Sequence, residues 1–213
     1  MTDTSVPKRL VVLISGSGTN LQALIDACSS GLLPNCVISL VISNRKAAFG
    51  LERARRVGIP TLYHNLKAYT DRGQTREDYD VDLARLICTS EHLGGSPPDL
   101  VVLAGFMHIL SEKFLLNMPS DNVCGIINLH PALPGQFNGA HAIERAFKAF
   151  EEGEITQTGV MVNKVIKEVD EGDPVVQEVV PLHPGDTLEV VEERIHAVEH
   201  RIIVDAVRIM LKL

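Results

Sequence analysis

The chain has 213 residues, 45% of them hydrophobic and 22% charged, with a formal net charge of −7. That length suits one large domain with a sizeable core, and the acidic balance argues against a general nucleic-acid surface. No apolar run reaches the ~18 residues that span a membrane, and the polar stretch Met1 to Arg9 lacks the apolar segment of a secretory leader.

Leu10 to Ile14 is a continuous apolar, β-branched run, as expected of a buried parallel strand. The turn Ser15-Gly16-Ser17-Gly18-Thr19-Asn20 leads into a helix with Leu21, Leu24, Ile25 and Cys28 at helical spacing. Val37 to Ile42 predicts a second buried strand, Phe49 to Ala54 a second helix closed near Gly58-Ile59-Pro60, and Thr61 to His64 a short third strand. Asn65 to Gln74 is polar and reads as irregular. Thr75 then caps a helix with Glu77 and Asp78 in its first turn, and Tyr79, Leu83, Leu86 and Ile87 turn to the core. After a loop at Gly94 to Pro98, Leu100 to Ala104 is the most apolar strand of the chain. Ser111 to Met118 predicts a short helix, Gly125 to His130 a strand that stops at Pro131, Ala132 to His141 a loop, and Ala142 to Phe150 a helix. Gly159 to Ile166 and Val175 to Val180 form a hairpin around Val169 to Pro174. A final helix runs from about Thr187 to Leu211, with Val191, Ile195, Val198, Ile202, Ala206 and Ile209 on its apolar stripe. Strands alternating with helices, then a hairpin and a long helix, predict an α/β fold: an open, mainly parallel, doubly wound sheet with antiparallel strands at its C-terminal end.

The four cysteines, Cys28, Cys36, Cys88 and Cys124, lie in or beside apolar segments without C-x-x-C spacing. Reduced thiols and a cytoplasmic location are expected. The glycine turn at 15–20 places backbone N–H groups at a helix N-terminus, a favourable place for an anion. No Gly-Lys-Ser/Thr follows, so it is not a Walker A loop. Leu21 stands where a dinucleotide fingerprint needs its third glycine, and the second strand ends at Ser43-Asn44 without an acid. Arg45 and Lys46 keep an NADP 2′-phosphate open as a ligand. A lone phosphate monoester fits better, and a plain tight turn is the other reading.

Asn128 and His130 share one face of their strand, at the carboxyl end where open α/β sheets bind ligands. Taken alone, a strand-end Asn capping a turn beside a hydrogen-bonded His is the simpler account. Locally, Arg76 reads as a surface arginine, Asp170 as hairpin-turn chemistry, and Glu199-His200 as a surface pair. No Gly-x-Ser-x-Gly elbow or cysteine cluster points to nucleophilic or metal catalysis.

Four segments together carry a resemblance: Val11 to Ala23 (VVLISGSGTNLQA), Val101 to Met107 (VVLAGFM), Ile127 to Pro131 (INLHP) and Val169 to Pro174 (VDEGDP). In order and spacing the chain resembles the phosphoribosylglycinamide formyltransferases, folate-dependent enzymes of purine synthesis. The resemblance implies a Rossmann-like formyltransferase fold in a single domain over 1–213. Residues 1–110 would form the phosphate- and nucleotide-binding half, and 111–213 the catalytic and folate-binding half. It implies transfer of a formyl group from 10-formyltetrahydrofolate to the amine of glycinamide ribonucleotide, by a monomer or homodimer without metal, nucleic acid or membrane. The family's catalytic trio falls on Asn128, His130 and Asp170. Its phosphate loop falls on Gly18, Thr19 and Asn20, and its ribose-binding acid on Glu199. Its folate contacts fall on Arg76, Met107, His108, Ile109, Leu110 and Asn128, and on the loop Ile166 to Asp170.

The chain departs from the family pattern in places. His108 stands where bacterial members commonly carry Arg, so backbone groups of Met107 to Leu110 are expected to carry that contact. Asn163 stands where many members carry His, and the loop Ala132 to His141 differs, although His141 lines up with a family histidine. A methionyl-tRNA formyltransferase would carry a further C-terminal domain and a formyltetrahydrofolate deformylase an N-terminal one, so neither is expected. The alternative from another class is a phosphate- or NADP-binding module without transferase activity. Direct attack of the amine on the formyl carbon needs no enzyme nucleophile. Asn128 and His130 would donate to the oxyanion, with Asp170 favouring the protonated imidazole.

Overall fold

The computed structural model describes residues 6–120 and 123–213. Met1 to Ser5, part of the stretch read as lacking a leader, lie outside the described residues. Among the described residues the elements follow in the order β1 (Lys8–Ile14), α1 (Thr19–Ser30), β2 (Cys36–Ser43), α2 (Phe49–Arg56), β3 (Thr61–Tyr63), α3 (Lys67–Thr70), α4 (Arg76–Thr89), β4 (Leu100–Leu103), α5 (Glu112–Asn117), β5 (Gly125–His130), α6 (Ala142–Glu151), β6 (Gln157–Lys164), β7 (Pro174–Pro181) and α7 (Leu188–Leu211). They build one seven-stranded sheet in the order β3-β2-β1-β4-β5-β6-β7. The pairs from β3 to β5 are parallel, and β6 and β7 add antiparallel strands, as the alternating pattern and the terminal hairpin predict.

Continuous apolar strands arise because both faces of the sheet are covered. Leu10, Val12 and Ile14 of β1 enter a core shared with α1 and α7, while Val11 and Leu13 enter another shared with α4 and α5. The period of two divides β5 likewise: Ile127 and Leu129 face the α7 side and Ile126 the α4 side. Asn128 and His130 continue the face of Ile126.

Three expectations need correction. The stretch 65–74 is not wholly irregular, because α3 lies within it. Asn65 Oδ1 accepts from Lys67 N at 3.0 Å, and buried Tyr69 anchors the turn by donating to Asp82 Oδ2 at 2.7 Å. A turn of 3-10 helix (Glu91–Leu93), capped by Ser90, precedes the loop before β4. The hairpin strand β6 ends at Lys164 rather than Ile166, since its register with β7 breaks between Val162 and Asn163. Helix α4 starts as expected, in a capping box: Asp78 N donates to Thr75 Oγ1 at 3.1 Å and Thr75 N to Asp78 Oδ2 at 2.8 Å. Ile209, placed on the apolar stripe of α7, is exposed. Among the described residues no helix is long and apolar enough to cross a membrane.

Candidate active site

The chain reverses its strand order beside β1, with β2 on one side and β4 on the other. Loops at the carboxyl ends of parallel strands part at such a point and leave a crevice. Here the crevice is a cavity of about 540 Å³ at the ends of β4 and β5. Arg76, Met107, His108, Ile109, Leu110, Asn128, His130 and Asp170 all line it, so residues far apart in the chain converge on one site.

Asp170 ties the predicted trio together. Asn128 Nδ2 donates to its Oδ1 at 3.0 Å, across 42 positions of sequence. Its Oδ2 accepts from Gly139 N at 2.8 Å and faces His130 Nδ1 at 3.5 Å. The side chains of His130 and Asp170 are 5% and 7% exposed, so their attraction is little screened. Asp170 sits at φ 58 in the left-handed region, which an Asp tolerates better than most residues. Two residues on, Gly172 packs against β6 so closely that a Cβ would meet the Lys164 carbonyl oxygen at 1.8 Å. The hairpin turn therefore delivers Asp170 through a backbone contact that only glycine permits.

Burial pushes the His130 pKa below its ordinary value, and Asp170, which favours the charged ring, does not reverse the direction. That direction favours the neutral ring over the expected imidazolium. With Nδ1 turned to Asp170, Nε2 is a buried atom that makes no hydrogen bond of good geometry, although the Gln136 and Phe137 backbone lies against the ring. A buried polar atom without a good hydrogen bond is costly to a fold and marks a place for a ligand group. Asn163, opposite Asn128 in the β5–β6 register, leaves its buried Oδ1 unpartnered on the same cavity. His141 also lines the cavity, as the N-cap of α6, and its exposed ring contacts Glu144 Oε1 at 2.9 Å.

Loop 105–111 forms the opposite wall. Met107 and Ile109 expose their side chains there, while Leu110 is buried. The Arg76 guanidinium donates to the Ile109 carbonyl, so this arginine braces the loop as well as lining the cavity. Met107 N is taken by Ser15 Oγ at 2.7 Å, and Ser15 in turn donates to Asn44 Oδ1 at 2.7 Å. The His108 ring is nearly enclosed. It turns inward onto Asp80.

The glycine turn lies on the other side of β1. Gly18 is the N-cap of α1 at φ 72, and no side chain caps that helix or places an acid in its first turn. Its N-terminal N–H groups are left for solvent or an anion. A Cβ on Gly18 would meet Gly50 Cα at 2.5 Å, and Gly50 N donates to Gly16 O at 3.1 Å, so α2 fixes the turn by close backbone approach. Thr19 and Asn20 open the helix. Asn20 Nδ2 donates to Glu199 Oε2 at 3.1 Å, joining residues 179 positions apart. Glu199 is buried on α7, not exposed as its local pattern suggests, and burial pushes its carboxyl pKa up. Ser15, Asn44, Gly50, Asp80, Gly139 and Gly172 are supporting residues to which sequence reading gave no role of their own. Glycines flanked by turn residues were the only local signal for the last two.

Among the described residues no group of three His, Cys, Asp or Glu could hold a metal ion. No disulfide joins any of the four cysteines. The donors and the apolar walls instead fit an organic ligand with a polar reacting end. Comparison with known proteins agrees. The formyl transferase family model matches residues 8–207, and the chain belongs to that family. Within it, the chain is similar to the phosphoribosylglycinamide formyltransferases of purine biosynthesis. One, from Schizosaccharomyces pombe, is 52% identical over 202 residues, covering 93% of this chain and 94% of the relative. Another, from Dictyostelium discoideum, is 46% identical over 205 residues, covering 94% and 97%. The crystal structure of glycinamide ribonucleotide transformylase 1 from Symbiobacterium toebii superposes with a TM-score of 0.82 at 40% identity, covering 98% of this chain and 89% of that one.

Proposed function

We propose that this chain transfers the formyl group of 10-formyltetrahydrofolate to the amine of glycinamide ribonucleotide, with Asn128, His130 and Asp170 as the catalytic residues. The observation that carries the assignment of roles is Nε2 of His130, without a hydrogen bond of good geometry and buried beside the Asn128–Asp170 hydrogen bond on the cavity wall. The acceptor phosphate lies on the N-terminus of α1 at Gly18, Thr19 and Asn20, and Glu199 binds the ribose. The folate occupies the cavity between Arg76, the backbone of Met107 to Leu110, and the loop that ends at Asp170.

Attack of the amine on the formyl carbon places negative charge on the formyl oxygen and a surplus proton on the amine. Neutral His130 accepts that proton at Nε2, and the resulting imidazolium is stabilised by Asp170. One N–H of Asn128 is held by Asp170, which aims the other at the oxyanion. His130 then returns its proton to the leaving nitrogen of the folate. The low starting pKa of His130 suits a base that must be neutral near pH 7 and become charged only as the reaction proceeds.

The single domain spans 1–213 and acts in the cytoplasm as a monomer or homodimer. The test is an absorbance assay of formyl transfer with both substrates, against no acceptor and against NADPH. Acceptor-dependent loss of 10-formyltetrahydrofolate is expected. Phosphate-ligand or NADPH binding without turnover would favour the binding-module alternative.

A further inference from the structure

Asp80 lies on the inner face of α4 and is fully buried. A carboxylate in that position needs donors. One of its partners, His108, lines the cavity, and the other, Ser111, directly follows the lining residue Leu110. Ser111 N donates to Oδ2 at 2.9 Å, and His108 Nε2 lies 2.6 Å from Oδ1. Burial alone would push the Asp80 pKa up, but these hydrogen bonds hold it below the usual carboxylate range. An ionised carboxylate only accepts, so His108 carries its proton on Nε2.

The rest of the His108 ring is enclosed. Its side chain is 9% exposed. Tyr79 meets it edge-on at 5.0 Å and Phe106 at 5.9 Å, and Tyr79 is itself stacked on His64 at 4.4 Å. The ring therefore reaches away from the ligand space while its backbone forms part of that space. Helix α4 grips the same loop again through Arg76 and the Ile109 carbonyl. Such a loop is held at residues 108, 109 and 111 from behind, leaving its front edge fixed in position.

We propose that Asp80 and His108 form a positioning pair that sets the loop Met107 to Leu110 against the folate, and so governs affinity for the formyl donor without touching it. This rests on reading the cavity as the folate site. Removing the imidazole leaves Asp80 Oδ1 buried without a donor, and the loop leaves its ligand-competent position for part of the time. Apparent affinity falls by the fraction still competent. The loop meets the first residue of the glycine turn, Ser15, through Met107 N and the Gly105 carbonyl, but Gly18 to Asn20 and Glu199 are held by α1, α2 and α7, so acceptor binding should change far less than folate binding.

The test compares the full chain with His108→Ala, His108→Gln and Asp80→Asn. Initial rates are measured with each substrate varied, and 10-formyltetrahydrofolate binding is titrated directly. His108→Ala is expected to raise the folate KM about tenfold, corresponding to roughly one loop in ten competent. The acceptor KM should stay within about twofold and kcat at saturation within about threefold, because the pair touches neither the acceptor nor the reacting atoms. His108→Gln restores an N–H donor toward Asp80 and should return the folate KM to within about threefold of wild type. Asp80→Asn offers one acceptor oxygen to two donors and should be at least as impaired as His108→Ala. If Asp80→Asn does not fold, the two His108 variants carry the test. An unchanged folate KM in His108→Ala, equal rises in both KM values, or no rescue by Gln would overturn the proposal. A wild-type protein that binds folate but transfers nothing would instead sink the proposed function, and the titration would still read the pair. Failure of the wild type to bind folate would overturn both.

Discussion

Replacing Asp170 by Asn tests the proposed mechanism most directly, because it keeps the shape and removes the charge. Asp170 receives Asn128 Nδ2 at 3.0 Å and Gly139 N at 2.8 Å, and faces His130 Nδ1 at 3.5 Å. A carboxamide has one oxygen. If it accepts from Asn128, its NH2 faces Gly139 N–H and His130, donor against donor. If it is flipped, the clash moves to Asn128. Either way at least one hydrogen bond to a buried charged group is lost, worth about 1.5–3 kcal/mol. The imidazolium formed during reaction also loses its counter-charge. Two unit charges at this separation attract by roughly 5 kcal/mol at an effective dielectric constant of 20, which bounds that second loss from above. A combined loss of about 4 kcal/mol corresponds to a fall in kcat on the order of 10³. Both KM values should move far less, since the charge being stabilised exists only near the transition state. The pH profile adds an independent arm. His130 already lies below its ordinary pKa through burial, with Asp170 the largest opposing influence. Removing that anion lets the pKa fall further, so the acidic limb of kcat/KM moves to lower pH while the plateau drops. Steady-state turnover of the purified, folded variant between pH 5 and 9 measures both. A kcat within tenfold of wild type, or an acidic limb that moves up, would refute the mechanism.

Gly18→Val forces a branched side chain into a positive-φ position against Gly50. It should raise the acceptor KM by more than about tenfold, or 1.4 kcal/mol, with the folate KM little changed; equal loss of both would remove the phosphate assignment. Gly172→Ala must displace the turn that presents Asp170, and a shift near 1 Å there should lower kcat on the order of 10²-fold. Unchanged turnover in that variant would mean the turn is not fixed by its contact with Lys164. Burial lowers the pKa of His64 as well as His130. The unfolded chain binds their protons near pH 6.5 while the fold excludes them. Stability present above that pH is therefore lost as pH falls below it, by up to about 1.4 kcal/mol per pH unit for each histidine. Glu199, raised by burial, works in the opposite sense. The decisive comparison is between wild type and His64→Gln, whose urea midpoint should fall less steeply from pH 7 to 5. Identical slopes would count against a neutral His64.

What the sequence discloses depends on the range of the interaction that fixes each residue. β1, β4 and β5 are legible as apolar runs because both faces are buried, and the shared face of Asn128 and His130 follows from the strand period alone. Asp170 is not legible in this way. Its local surroundings are ordinary turn chemistry, and its partnership with Asn128 depends on the β5–β6 pairing and on Gly172 seated against Lys164. Asn20 and Glu199 meet through the packing of α1 on α7, which no local window contains. The resemblance to a family supplied these residues where periodicity could not.

Asp80 is a different kind of miss, since its signal is local. The sequence reading turned Tyr79, Leu83, Leu86 and Ile87 of α4 to the core, but Leu86 is half-buried and the buried residues are Tyr79, Asp80, Leu83, Ala84 and Ile87. Asp80, Leu83, Ala84 and Ile87 follow the i, i+3, i+4, i+7 spacing of a single helix face. An acid therefore occupies the first position of an otherwise apolar stripe, and a buried acid must find donors from another element. The stripe alone predicts such a partner. The fold supplies it from loop 105–111, and that is why a residue with no access to the cavity bears on the shape of its wall.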